Sequence, residues 1–291
     1  MNLLPLFLMT FFLAVCTATI KILSDKVPRT VALFVQYFFC AVYMVAFWIL
    51  FDRTMLSAKE FFVIALGVSS VNYIGAYCQW AAYKNMARTS LFSPLSGVLT
   101  IVLFWIFLKE YQYLSNWALV GVGLHLVAIW MFLSAKKEVQ TAKSGSIKSW
   151  LFFMAGMVIF TGILHFMMKV LSKDVPETHF LLCWYCGTFG FSAFFFFANR
   201  KANVNYLLRR EKVFWLLPVC SLGIVGYLAA QYWAFQTNSG TLVASYSALN
   251  STFVPVITGW AFFKEAKAIS RREIAGLACG VVAAVLIIAS H

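Results

Sequence analysis

Apolar residues run through this chain in blocks of about the length that crosses a membrane, and charged residues stand almost entirely between the blocks. Stretches free of Asp, Glu, Lys and Arg cover residues 1–20, 30–51, 61–83, 89–108, 111–135, 149–168, 178–199, 213–263 and 274–291. A helix needs about 20 apolar residues to span a bilayer, so the 213–263 stretch must cross twice. Asn238, Ser239 and Gly240 are turn formers and mark its reversal. The pattern predicts an all-α membrane protein of ten transmembrane helices, joined by short connectors apart from residues 136–148 and 200–212.

Polar side chains inside these blocks are patterned too. In the eighth helix Tyr227, Gln231 and Asn238 share one face at helical spacing, and in the ninth Ser247, Ser251, Pro255 and Thr258 do the same with Asn250 beside them. The third helix carries Asn72, Gln79 and Tyr83 on one face, and the fourth carries Ser93, Gly97 and Thr100. Polar faces at membrane depth look toward other helices or a water-filled cavity. With Tyr37, Trp80, Tyr185, Tyr227 and Trp233 they fit a cavity of aromatic walls and sparse polar anchors, whereas close helix packing is the plainer reading. Pro94 and Pro255 fall within the fourth and ninth blocks and are expected hinge points, since each removes a backbone hydrogen bond.

An internal repeat tips the balance toward a solute pathway. K-I-L-S-D-K-V-P-R-T at 21–30 recurs as K-V-L-S-K-D-V-P-E-T at 169–178, and Tyr37 and Tyr185 keep the same offset. Q-W-A-A-Y at 79–83 resembles Q-Y-W-A-F at 231–235. Trp105, Lys109, Glu110, Ser115 and Gly121 match Trp260, Lys264, Glu265, Ser270 and Gly276. The expected organisation is a first five-helix repeat at 1–135, a linker at 136–148 and a second repeat at 149–291. Five is odd, so the second copy crosses the membrane in the opposite sense, the arrangement of alternating-access carriers.

The paired Lys at the end of each half's first helix, and Lys-Glu eleven residues ahead of a Gly in each half, resemble the drug/metabolite transporter superfamily, in particular its ten-helix EamA-type members. The resemblance covers essentially the whole chain. It implies a basket of helices with a central cavity lined mainly by helices 1, 3, 4, 6, 8 and 9, and substrates such as amino acids, metabolites or drugs. Where many relatives carry an Arg early in helix 2, this chain has Gln36 and Tyr37. The function expected is alternating-access export or facilitated passage of small metabolites, such as amino acids or related solutes, across the inner cell membrane. Uptake of a nucleotide- or S-adenosylmethionine-type metabolite is the alternative, and a non-transporting membrane scaffold is the reading from another class. The expected partners are a small-molecule substrate and membrane lipids.

Composition agrees with the class: 62% of the 291 residues are hydrophobic and 11% charged, with a mean hydropathy of +0.83. The net charge of +13 comes from Lys and Arg scattered in connectors, with no basic arm for nucleic acid. Most of these cations lie after helices 1, 3, 5, 7 and 9, which by the positive-inside rule places those connectors in the cytoplasm and both termini outside. The resemblance implies the opposite orientation. The N-terminus lacks the basic n-region of a signal peptide and reads as a retained first helix. The seven cysteines all lie in apolar runs, and neither they nor the dispersed histidines suggest a metal, a cofactor or an enzyme.

The substrate-binding residues expected from the sequence are Lys21, Tyr37, Asn72, Gln79, Tyr83, Ser93, His165, Lys169, Tyr227, Gln231, Ser247 and Asn250. The two lysines could reach the headgroups or meet an anionic group of the substrate. Glu110 and Glu265 are expected to pair with Lys109 and Lys264 at helix ends. G-L-A-C-G at 276–280, with Ala284 on its face, would pack closely either within the chain or in a homodimer through Gly276 and Gly280. No acidic residue lies deep in a helix, which favours facilitated diffusion or exchange over carboxylate-based proton coupling, with His165 and His125 as the groups in reserve.

Overall fold

The computed structural model describes residues 2–24, 26–55, 57–83, 89, 92–110, 116–134, 147–198, 200–208, 212–263 and 271–289. Most of the linker, with Lys264 and Glu265, lies outside the described residues, as do the side chains of His125 and Ala284. In chain order the long helices are α1 (Leu4–Ser24), α2 (Arg29–Phe47), α3 (58–82), α4 (Pro94–Leu108), α5 (Asn116–Ser134), α6 (Ile147–Leu171), α7 (Glu177–Ala198), α8 (Leu216–Thr237), α9 (Gly240–Phe263) and α10 (Arg271–Ala289). A π-helical turn, Trp48–Asp52, extends α2, and another, Val63–Val68, interrupts α3. The 200–212 connector holds a short helix, Arg200–Leu208, which its charge content had concealed.

Among the described residues five helical stretches are long and apolar enough to cross a bilayer: Leu4–Ser24, Arg29–Asp52, Lys148–Leu171, Glu177–Ala198 and Leu216–Thr237. Their outer faces carry large apolar side chains such as Phe7, Phe51, Phe152 and Phe194, all more than half exposed, as a surface solvated by lipid requires.

The two copies of the repeated decapeptide fold alike. Val27 N donates to Leu23 O at 2.8 Å and Val175 N to Leu171 O at 3.0 Å, so α1 and α6 end in the same turn. Ser24 Oγ and Ser172 Oγ each return to the carbonyl three residues back, on Lys21 and Lys169. Pro28 and Pro176 then open α2 and α7, where a missing N–H costs nothing, and their carbonyls accept from Ala32 and Phe180 at 2.9 Å.

Helices early in the chain pack against helices late in it. α1 packs along α8 and α3 along α6, while α2 meets α7, α4 meets α9 and α5 meets α10. Small residues set the closest approaches. A Cβ on Gly97 of α4 would lie 2.6 Å from Ala248 Cβ of α9, and one on Gly187 of α7 would lie 2.2 Å from the Ala65 carbonyl of α3. At that crossing Ser69 Oγ donates to the Trp184 carbonyl at 2.9 Å, which ties the two backbones together. On α10, a Cβ at Gly280 would stand 4.0 Å from Ala128 of α5. The Arg29 guanidinium lies over the Tyr77 ring at 4.4 Å and the Phe153 ring at 4.7 Å, joining α2 to the α3–α6 seam.

Between α8 and α9 the chain reverses at Asn238 and Ser239, where two helix ends meet and their terminal carbonyls and N–H groups need partners. Lys169 supplies one side: its Nζ donates to the carbonyls of Phe235 and Asn238 at 2.7 and 2.9 Å. Glu110 supplies the other, accepting from Gly240 N at 3.1 Å, Thr241 N at 2.8 Å and Thr241 Oγ1 at 2.7 Å. Each charge matches the dipole of the helix end it meets. This corrects the expectation of a Glu110–Lys109 pair, since Glu110 caps α9 while Lys109 is exposed with a left-handed φ of 55° at the end of α4. Asn2 closes the same apex, donating its backbone N–H to Asn238 Oδ1 at 3.1 Å.

Two outcomes follow for the purified protein. Gly187→Val forces α3 and α7 apart and is expected to lower stability by about 1–3 kcal/mol, read as a drop in melting temperature, whereas Gly67→Ala, where nothing lies within 4 Å, leaves it nearly unchanged. Glu110→Gln keeps the shape but removes the charge at the α9 N-terminus and is expected to cost about 1–2 kcal/mol. A melting temperature equal to wild type would show that the cap contributes nothing.

Candidate functional site

The polar faces read from the sequence converge on an internal cavity of about 130 Å³. α3 contributes Asn72, Gln79 and Tyr83, the segment entering α4 contributes Ser93, and α2 contributes Tyr37. From the other half come His165 of α6, Tyr227 of α8 and Ser247 of α9. α2 and α7 also reach the wall, through Gln36, Tyr37 and Trp184, although helices 1, 3, 4, 6, 8 and 9 were the ones expected to line it. The wall is hydrogen-bonded and aromatic, and no Asp, Glu, Lys or Arg is among its described lining residues.

These side chains hold one another in place. Asn72 Nδ2 donates to Tyr37 OH at 3.2 Å and to Thr188 Oγ1 at 3.1 Å, linking α3 to α2 and α7. Gln79 and Tyr83 stand one helical turn apart on the same wall. Across the cavity Tyr227 OH and Ser247 Oγ lie 3.1 Å apart, and Gln231 Nε2 reaches Ser247 Oγ at 3.4 Å and His165 Nε2 at 3.1 Å. Gln231 itself is fully buried and stands behind the wall, touching it through these two neighbours. Trp80 Nε1 donates to Gln36 Oε1 at 3.1 Å, so this fully buried tryptophan orients a wall residue without being one.

Several expected residues sit elsewhere. Asn250 donates to Thr10 Oγ1 at 2.9 Å, and Thr10 meets Tyr246 OH at 2.9 Å, so Asn250 ties α9 to α1. Lys169 is committed to the α8–α9 apex, and Lys21, half-buried in the last turn of α1, is not a lining residue. Tyr185 is fully buried with its OH on the Ile224 carbonyl, and its neighbour Trp184 takes the place at the wall. Pro94 stands at the first turn of α4, where its ring fits the helix start, so it does not interrupt α4 from within; Pro255 does lie inside α9. The sequence reading passed over Cys16, Ser96 and Thr161 at the wall, whereas Ser251 reaches it from the polar face read on the ninth helix. Thr161 was accessible, since it precedes His165 by one helical turn.

Comparison with known proteins agrees with this architecture. Residues 2–134 match the model of the EamA-like transporter family. A solved structure, described only as the crystal structure of a protein, aligns over 97% of this chain and 97% of its own with a TM-score of 0.63 at 16% identity, a likeness of fold. No curated protein matches the sequence. The apolar helices and the match over residues 2–134 indicate an integral multi-pass membrane protein whose first part is similar to the EamA-like transporter family.

Proposed function

We propose that the chain is a ten-span solute carrier in which two inverted five-helix halves give alternating access to the central cavity. The carrying observation is that one cavity takes polar side chains from both halves, Asn72, Gln79 and Ser93 from the first and His165, Tyr227 and Ser247 from the second. The matched decapeptide turns and the paired packing of α1 on α8 and α3 on α6 support the inverted repeat. The substrate class is a small metabolite, moved unmodified. A scaffold needs no walled cavity of hydrogen-bonded and aromatic side chains at its centre.

Energy coupling follows from the wall's chemistry. Among the described residues no carboxylate borders the cavity, and Glu110 is bound to the α9 N-terminus. The carrier therefore works by facilitated diffusion or exchange.

Solute flux from proteoliposomes, measured with a panel of labelled amino acids, nucleosides and related metabolites, tests the reading. At least one solute is expected to move down its gradient unmodified and faster than from empty liposomes; equal rates for the whole panel would overturn the proposal. Ser251→Trp is expected to block that flux by at least about tenfold with little loss of stability. Ser251 lines the cavity, and its hydroxyl donates back to its own helix, to Ala248 O at 2.9 Å. With an imposed pH gradient and no solute gradient, no uphill accumulation is expected, and its appearance would show a proton site that this reading omits.

A further inference from the structure

Resting on the carrier reading, we infer that the cavity takes a small uncharged polyol, a short carbon chain with several hydroxyls, and that Gln36, Asn72 and Thr161 hold it. All three line the cavity, each from a different helix, α2, α3 and α6. Gln36 Nε2, Asn72 Oδ1 and Thr161 Oγ1 make no hydrogen bond to any described residue, yet none of the three is sealed. Gln36 is only 1% exposed, so its open amide nitrogen is what the cavity still reaches of it.

Neighbouring groups fix what these atoms offer. An indole N–H is donor-only, so the 3.1 Å bond from Trp80 makes the Gln36 atom it meets the carbonyl oxygen and leaves the NH2 group for the solute. Thr188 spends its proton on the Trp184 carbonyl at 2.8 Å and accepts from Asn72 at 3.1 Å, so the Asn72 atom there is the nitrogen. Its Oδ1 is left as an acceptor. The wall therefore carries a fixed donor at Gln36, a fixed acceptor at Asn72 and, at Thr161, a hydroxyl that can act as either. Three points on three helices are beyond the reach of a single functional group. A chain of hydroxyls answers all of them, because each hydroxyl both donates and accepts.

An ion fares worse at this wall. No Asp, Glu, Lys or Arg is among its described lining residues, and the Lys169 ammonium, one turn along α6 from His165, is held by two backbone carbonyls. A carboxylate or an ammonium group leaving water needs an opposite charge, which neutral hydrogen bonds do not replace. Elsewhere on the wall Tyr227 and Ser247 bond each other at 3.1 Å, and Leu13, Ile20 and Leu164 offer apolar surface to a carbon chain. The volume of about 130 Å³ is close to the roughly 150 Å³ in which a cavity takes up benzene, which suits a chain of about four carbons.

Erythritol, L-threonine and L-threonate all have four carbons and differ in charge, so binding of the three to the full chain in nanodiscs, read by ligand NMR, tests the inference. Erythritol is expected to bind at least about tenfold more tightly than the zwitterion or the anion. Thr161→Val should weaken erythritol by about threefold to tenfold at an unchanged melting temperature, since the lost hydroxyl has no partner in the fold. Gln36→Met should weaken it by a similar factor, with some loss of stability because Trp80 Nε1 loses its acceptor. Absence of erythritol binding, equal or tighter binding of either charged probe, or erythritol affinity unchanged in both variants overturns the inference. The probe comparison on the unsubstituted chain decides even where a variant fails to fold. Erythritol binding without flux in proteoliposomes would sink the carrier reading and leave the site standing, whereas flux of other solutes with no erythritol binding would do the reverse.

Discussion

A helix leaves its first N–H groups and last carbonyls without partners, so where two helix ends meet in a tight turn both sets have to be satisfied from elsewhere in the protein or by water. The apex at Asn238 is where this constraint gathers the most structure. Lys169 from α6 takes the carbonyls that end α8, Glu110 from the end of α4 takes the N–H groups that begin α9, and Asn2 ties in the start of α1. Five elements are thereby fixed relative to one another a single helical turn beyond His165. The cavity wall depends on that junction, because α6, α8 and α9 supply His165, Tyr227 and Ser247.

Polarity in this chain is handled locally at helix ends and collectively at the centre. Lys169 and Glu110 satisfy terminal backbone groups, and the polar groups of the described wall residues are hydroxyl, amide, imidazole, indole and thiol, with no charged side chain among them. Such a wall does not repel ions by charge.

The helices were legible because the cost of placing charge in lipid writes their limits into the sequence, and the Lys-to-Thr decapeptide was legible because both copies obey the same turn geometry. Asn72, Gln79 and Ser247 reach the wall as their shared faces suggested. Lys169 was harder to place: an ammonium near a helix end can serve lipid, substrate or backbone, and the carbonyls that capture it belong to a hairpin more than sixty residues away. Asn250 follows Ser247 by less than one turn yet rotates to Thr10, so a polar face defined only by period is wider than the strip that meets the cavity. Tyr185 drew attention through its match to Tyr37, but adjacent residues on a helix point about 100° apart, and the crossing with α3 gives the wall to Trp184.

The π-helical turn at Val63–Val68 adds a residue to one turn of α3 just before its cavity-lining stretch. The two ends of that helix are thereby angularly uncoupled. Before the wide turn Phe61 and Phe62 are exposed on the outer face; beyond it Asn72, Gln79 and Tyr83 share a phase of their own. The apolar foot can drift in sequence, and the wide turn can slide along the helix to absorb a single-residue insertion, without rotating the lining strip away from the cavity. The defect in the hydrogen-bond ladder serves as a phase joint between the part of α3 with an outward apolar face and the part that lines the cavity.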